Sequence, residues 1–176
     1  MAKTKRKPML FPVVLALLAV SSQVSAADTG CDEKGDQWLE VQVEGLMDTR
    51  GDVVVELHPD VEGDYLDVLV DRIRVPTAQA SQTLCLAIPE PESYIVVVLH
   101  DRNANKKLDI IDDGFGFSQN PTLGLGTPGR EEVAFVARPG RNAMVIILNY
   151  LQGFGARPLD QEKRKQIEQR RRSKRR

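Results

Sequence analysis

Side chains that carry oxygen recur at alternate positions in the segment that begins at Asp101. The residues at positions 1, 3, 5, 7, 9 and 12 of a calcium loop would be Asp101, Asn103, Asn105, Lys107, Asp109 and Asp112. At position 7 the ligand would be the backbone carbonyl. Calcium takes several hard oxygen ligands in a flexible shell, so this spacing predicts a calcium site. The same composition is typical of a hairpin loop whose Asx side chains satisfy its own backbone, and both interpretations stay open.

Three departures from a standard calcium loop weaken the predicted binding. Position 6 is Lys106, where such loops use glycine for a sharp turn, and position 12 is Asp112 rather than a bidentate Glu. Arg102, Lys106 and Lys107 also place positive charge beside the ligands. We therefore expect an affinity on the order of 10⁻⁴ to 10⁻³ M, and calcium is the one cofactor that the sequence suggests.

Residues that could perform catalysis are poorly placed. Ser81, Ser93, Ser118 and Ser173 all lie outside a Gly-x-Ser-x-Gly elbow. His100 and Asp101 are neighbours on a predicted strand, so their side chains point to opposite faces. Asp112 and Asp113 resemble a glycosidase carboxylate pair, but sequence neighbours rarely provide that geometry. We predict a non-catalytic protein. The alternative is a small envelope hydrolase with its carboxylate site around residues 109–120.

The N-terminus has the pattern of a secretory signal over residues 1–26. A basic start precedes an apolar run from Met9 to Val20, and Val24-Ser25-Ala26 supplies small residues for cleavage. Because the run is too short to span a bilayer and no other is longer, we expect no transmembrane segment after signal removal. The predicted location is periplasmic or secreted.

The chain that follows the signal has two cysteines, Cys31 and Cys85. In an oxidising compartment an even pair of cysteines predicts a disulfide. The alternative is that Cys31 remains unpaired in an N-terminal linker, residues 27–37, and that Cys85 is buried as a thiol. A zinc site is disfavoured because the cysteines and the two histidines lack ligand spacing.

The body of the chain, residues 38–151, has the pattern of β-structure. Alternating or continuous apolar segments predict strands at 38–44, 53–58, 72–75, 84–88, 94–99, 132–136 and 143–148. The segment 94–99 is apolar throughout, as expected for a central strand that is covered on both faces. The predicted fold is all-β: an antiparallel β-sandwich of about seven strands, preceded by the signal peptide and followed by a basic tail.

Residues 152–176 form the predicted tail. From Arg157 onward the chain holds ten basic and three acidic residues, whereas residues 27–156 carry an excess of negative charge. From Arg157 onward Leu159 and Ile167 are the only large apolar residues, so we expect a disordered segment or a frayed helix. Residues 157–176 could bind an anionic surface, or could simply extend into solvent. Nucleic acid is excluded as a partner by export and by the lack of aromatic residues among the charges.

The segment His100-Asp101-x-Asn-x-Asn-x-Lys-Leu-Asp109, followed by Gly114-Phe-Gly-Phe-Ser-Gln-Asn120, resembles a bacterial family of exported proteins known as a domain of unknown function. The resemblance extends over about residues 38–150. It implies a transthyretin-like or immunoglobulin-like β-sandwich and no established activity, so the partner is expected to be an unknown envelope protein or polymer. Members usually carry Gly where this chain has Ala104 and Lys106, and Pro-Gly where it has Glu92-Ser93.

Overall fold

The computed structural model describes residues 31, 36–63, 65–124, 126–160 and 173. Its strands and one short helix are β1 (Trp38–Glu44), β2 (Asp52–Pro59), β3 (Asp71–Pro76), β4 (Ser81–Ala87), β5 (Ser93–Asp101), β6 (Gly114–Phe117), α1 (Arg130–Val133), β7 (Phe135–Val136), β8 (Arg141–Ile147), β9 (Asn149–Leu151) and β10 (Ala156–Pro158). One sheet has the order β4-β1-β8. The other has the order β10-β9-β6-β5-β2-β3, with β7 paired to β5 beside this path.

The two sheets enclose the main hydrophobic core. The inner face of the small sheet contributes alternate residues such as Leu39, Val41 and Ile146, all fully buried. The large sheet contributes Val55 and Val96, which belong to the same cluster. Because alternate strand residues point to opposite faces, each sheet buries one apolar face against the other. The predicted all-β sandwich is confirmed.

A second apolar cluster covers the outer face of the large sheet. Ile95 and Phe117 lie on this face and pack with Tyr65, Leu123 and Val133 from the connecting segments and α1. The strand β5 is therefore buried on both faces, which explains why its segment 94–99 is apolar throughout.

Three expectations about the strands need correction. The described residues form ten strands rather than about seven, since short strands such as β6, β7, β9 and β10 carry little alternation. The expected strand at 132–136 begins instead as α1, where Glu132 accepts a hydrogen bond from the Gly129 amide at 2.7 Å, and only Phe135–Val136 are extended. The pairing of β1 with β8 is parallel. No hairpin joins these two strands, so no turn imposes an antiparallel direction.

The large sheet continues past the predicted domain boundary at residue 151. The strand β10 pairs with β9, and Leu159, expected to lie in an unanchored tail, is buried in the main core. The signal, residues 1–26, lies outside the described residues, as do most of the predicted linker and of the tail. Within the described part of the chain, no helix is long and apolar enough to cross a membrane.

Candidate functional site

The segment from Asp101 to Asp113, here called the Asx loop, connects β5 to β6 at one end of the sandwich. Asp101 ends β5 and is fully buried. Its carboxylate accepts hydrogen bonds from the Arg74 guanidinium at 2.8 Å, the Lys106 amide at 2.8 Å and the Asn105 amide at 3.1 Å. Burial alone would raise the pKa of Asp101, but these bonds outweigh it and hold the pKa below its ordinary value.

Asp113 is a second buried carboxylate at the base of the loop, and the calcium-loop spacing did not include it. It accepts the Arg102 amide at 2.9 Å and the Asp109 amide at 2.8 Å, and so ties the two ends of the loop together. Burial raises the pKa of Asp113, and the charges of Asp101 and Asp109 raise it further against the Asp109 hydrogen bond. Three carboxylates therefore share one small region of the protein.

The tip of the loop is built from side chains that bond to neighbouring groups. The amide nitrogens of Asn103 and Asn105 both donate to one oxygen of Asp109, at 2.7 Å and 2.6 Å. The oxygen of Asn103 accepts the Asn105 amide at 2.9 Å, and that of Asn105 accepts the Lys107 amide at 2.8 Å. This is the Asx-turn arrangement that the composition suggested as an alternative to calcium.

The backbone of the loop takes the turn that calcium loops take at position 6. Lys106 has φ of 66° and Ala104 has φ of 56°, both in the left-handed region that glycine adopts without cost. These are the two positions where the resemblance pointed to glycine in other members. The sharp turn therefore forms here in spite of the side chains, and the Lys106 amide reaches Asp101 because of it.

The structure brings together four of the six predicted ligand residues. Asp101, Asn103, Asn105 and Asp109 are linked by the hydrogen bonds given above, with Lys107 attached through its amide. The Asp112 side chain is exposed, and its carbonyl accepts the Arg102 guanidinium at 2.7 Å. Among the described residues, no group of three or more His, Cys, Asp or Glu side chains is arranged to hold a metal ion. Calcium binding would need the side chains of Asn103 and Asn105 to rotate, so that their oxygens and not their nitrogens point to an ion bound by Asp109.

A long-range ion pair fixes the Asx loop to the β1–β2 connection. The Arg102 guanidinium donates to buried Asp48 at 2.7 Å. Beside it, Gly51 has φ of 65°, and a Cβ at this position would overlap the carbonyl oxygen of Asp101. The two backbones touch at this point, so a side chain at residue 51 has no space.

His100 lies beneath the loop and is fully buried. Its Nε2 donates to the Arg50 carbonyl at 2.9 Å, because a carbonyl can only accept. Its Nδ1 then accepts from the Tyr150 hydroxyl at 2.7 Å, and that hydroxyl accepts the Met47 amide at 2.9 Å. Burial lowers the pKa of His100 despite the Arg50 bond and nearby Asp48 and Asp113. The lowered pKa favours a neutral ring, which bonds to the β1–β2 connection and to β9 and does not face solvent.

Residues 41–145 match the family model described as an uncharacterized protein conserved in bacteria (DUF2141). The chain belongs to the DUF2141 family. The match begins in β1, ends in β8 and includes the whole Asx loop. Neither the curated proteins nor the solved structures give a match to the chain.

In this DUF2141 chain the Gly-Phe-Gly-Phe-Ser-Gln-Asn segment has a packing role. A Cβ on Gly114 would overlap the Tyr150 ring, and one on Gly116 would lie 2.8 Å from the Ile146 side chain. The Ser118 hydroxyl accepts the Val96 amide and donates to the Val133 carbonyl. Asn120 donates to the Val145 carbonyl and accepts the Ile147 amide, both at 2.8 Å, and so pairs with the open edge of β8.

The DUF2141 chain also contains the disulfide expected between Cys31 and Cys85, with Cα atoms 5.1 Å apart. Cys85 lies on the outer face of β4, opposite Glu40 of β1, and is fully buried. The bond closes a loop across 54 residues and attaches the segment before β1 to the small sheet. Loops of this length give roughly 4 kcal/mol of stabilisation in the chain-entropy account.

Proposed function

We propose that this DUF2141 member is an exported, non-catalytic β-sandwich that binds calcium weakly through residues 101–112. The observation that carries the proposal is the left-handed turn at Lys106. A calcium loop needs this turn at position 6, and here the chain adopts it although lysine makes it unfavourable. The turn accompanies the hydrogen bonds that hold Asp101, Asn103, Asn105 and Asp109 close together.

The bonds that calcium would replace come from two side chains that can rotate. Asp109 is held by two neutral amide groups, and rotation of Asn103 and Asn105 would exchange those donors for oxygen ligands. The carboxylate of Asp101 offers about four acceptor positions, of which the Arg74, Asn105 and Lys106 donors use three. One position on Asp101 remains for an ion, but the Arg74 charge opposes its binding. Affinity is therefore expected to stay on the order of 10⁻⁴ to 10⁻³ M.

A thermal melt with calcium, magnesium or chelator tests the proposal. Calcium at about ten times its dissociation constant should stabilise the fold by about 1.4 kcal/mol through mass action. Asp109→Asn should remove that gain and leave the chelated protein folded, because the hydrogen bonds of its carboxylate go to Asn103 and Asn105 within the loop. Asp67→Asn, an exposed acidic residue in the β2–β3 connection, is the matched control and should keep the full gain.

Two results would count against the calcium site. A wild-type melting temperature that is unmoved by millimolar calcium would leave the Asx loop with a structural role alone. Equal losses in Asp109→Asn and Asp67→Asn would show that calcium acts through general charge and not through the loop. Asp101→Ala is unsuitable as a test, because its buried carboxylate also supports the loop without an ion.

Export is supported by the disulfide, since such bonds persist in oxidising compartments and are rare in the cytosol. The exported form is expected to begin at Ala27. Mass spectrometry of the envelope fraction should find this N-terminus, and an intact Met1 would contradict the proposed signal.

A further inference from the structure

The outer surface of the Asx loop exposes aliphatic side chains that its polar role does not require. Ile111 is 79% exposed, Leu108 is 55% exposed and Ile110 is 43% exposed. They lie between the predicted calcium ligands in the sequence, and their side chains take no part in the hydrogen bonds given above for the loop. Large aliphatic residues grouped on one projecting loop mark an interaction site more often than isolated surface residues do.

Acidic and basic side chains of the loop differ in their exposure to solvent. The carboxylates of Asp101 and Asp113 are buried, and Asp109 is turned toward Asn103 and Asn105. Lys106 and Lys107 are exposed beside the aliphatic residues. Asp112 is exposed and Asp109 is partly exposed. The exposed surface of residues 106–111 is therefore mainly aliphatic with two lysines, and Asp112 is the exposed acidic residue next to it.

We propose that the tip formed by residues 106–111 docks on an anionic lipid surface, with its aliphatic side chains inserted at the headgroup boundary and the two lysines on phosphate groups. A stable protein interface takes about 20–30 residues from each side, more than a single loop tip offers. A lipid surface accepts a small convex apolar tip, since each buried methylene adds to binding and each lysine adds electrostatic attraction. This goes beyond the proposed calcium function, because it uses different side chains and needs no ion.

Binding of the purified protein to vesicles tests the proposal. The vesicles are phosphatidylcholine alone or phosphatidylcholine with phosphatidylglycerol, and binding is measured in chelator to remove any effect of calcium. The wild type should bind the anionic vesicles, more weakly at high salt, and bind the neutral vesicles poorly. Leu108→Ser with Ile111→Ser should lower the partition constant about tenfold. Lys106→Gln should lower it about fivefold on anionic vesicles and little on neutral ones.

A matched control separates the tip from other exposed apolar residues and from the basic tail. Val136 is 73% exposed and pairs at the opposite end of β5, so Val136→Ser should bind as the wild type does. Every variant keeps the tail, so the tail contributes equally to all of them. If the Leu108 and Ile111 double variant binds as strongly as Val136→Ser, the tip is not the docking site.

Insertion is checked by fluorescence quenching. Ile111→Trp places an indole at the tip, whereas Trp38 begins β1, the other end of which leads into the connection that contacts the Asx loop. Lipids with brominated acyl chains should quench the new indole and leave the wild-type emission unchanged. An unquenched Ile111→Trp on bound vesicles would overturn the proposal. The proposal would also be overturned if the Leu108 and Ile111 double variant kept its vesicle binding but lost a self-association that the wild type shows in sedimentation. The aliphatic tip would then contact a second copy of the chain and not lipid.

Discussion

The base and the tip of the Asx loop have similar residues and different surroundings. At the base, Asp101 and Asp113 are fully buried, and their oxygens accept backbone amides and a guanidinium. At the tip, Asp109 is partly exposed and accepts hydrogen bonds from the side-chain amides of Asn103 and Asn105. Asp112 is exposed. The same residue type thus organises the fold at one level of the loop and remains available to ligands at the other.

The contact that places the base against the β1–β2 connection should be the most sensitive. Gly51→Ala puts a Cβ on the backbone of Asp101 and Arg102, where no side-chain rotation relieves the overlap. We expect a loss of about 4 kcal/mol or more in the free energy of unfolding, measured by urea titration. Gly63→Ala is the control, since Gly63 has φ of 101° and an open surrounding. Its loss should be only about 1 kcal/mol, and equal losses would mean that φ alone matters.

The base and tip carboxylates should differ strongly in their effect on stability. Asp101→Ala leaves Arg74 without its buried partner and the Lys106 amide without an acceptor, so we expect a loss of about 3 kcal/mol in chelator. Asp112→Ala should change stability by no more than about 0.5 kcal/mol. Urea titrations of both variants measure the contrast. Similar values for the two would remove the division between base and tip.

The neutral histidine under the base predicts a pH dependence. Burial lowers the folded-state pKa of His100, so its contribution is present above the unfolded pKa of about 6.5 and falls as pH decreases below that value. The slope should not exceed about 1.4 kcal/mol per pH unit. His100→Gln should flatten the decline between pH 7 and the folded pKa. An NMR titration that finds His100 protonated at its ordinary pKa would contradict the neutral ring.

The left-handed turn at the tip should give the smallest effect, with the opposite sign. Lys106→Gly relieves the strain at φ of 66°, while glycine raises the entropy of the unfolded chain. We expect a net gain of about 0.5–1 kcal/mol in thermal stability and tighter calcium binding. Lys107→Gly has no left-handed φ to relieve and serves as the control; a similar gain there would point to charge and not to strain.

The strand positions could be predicted from the sequence because burial on one face imposes a two-residue period. The Trp38–Glu44 strand and the doubly covered segment within β5 follow from that period. Short segments such as β9 and β10 show no period, so they were missed. Glu132 belongs to a helical turn that is too short to show helical spacing.

The site could be predicted only in part. Spacing predicted that Asp101 and Asp109 belong to one loop, because Asx turns form between residues that are close in sequence. Asp48 pairs with Arg102, 54 residues away, and Arg74 pairs with Asp101, 27 residues away. A local sequence pattern does not predict pairs at such distances. Asp113 was assigned to a possible carboxylate pair with Asp112, yet it is buried under the loop while Asp112 is exposed.

Amide hydrogen exchange in chelator tests the central claim most directly, namely that the Asx loop is formed by its own hydrogen bonds before any ion binds. The amides of Arg102, Lys106 and Asp109, which donate to the buried carboxylates, should be protected without calcium. Calcium should add protection mainly at the tip. Free exchange of these three amides in chelator, with protection only after calcium is added, would contradict this claim. It would mean that the loop forms only when the ion binds.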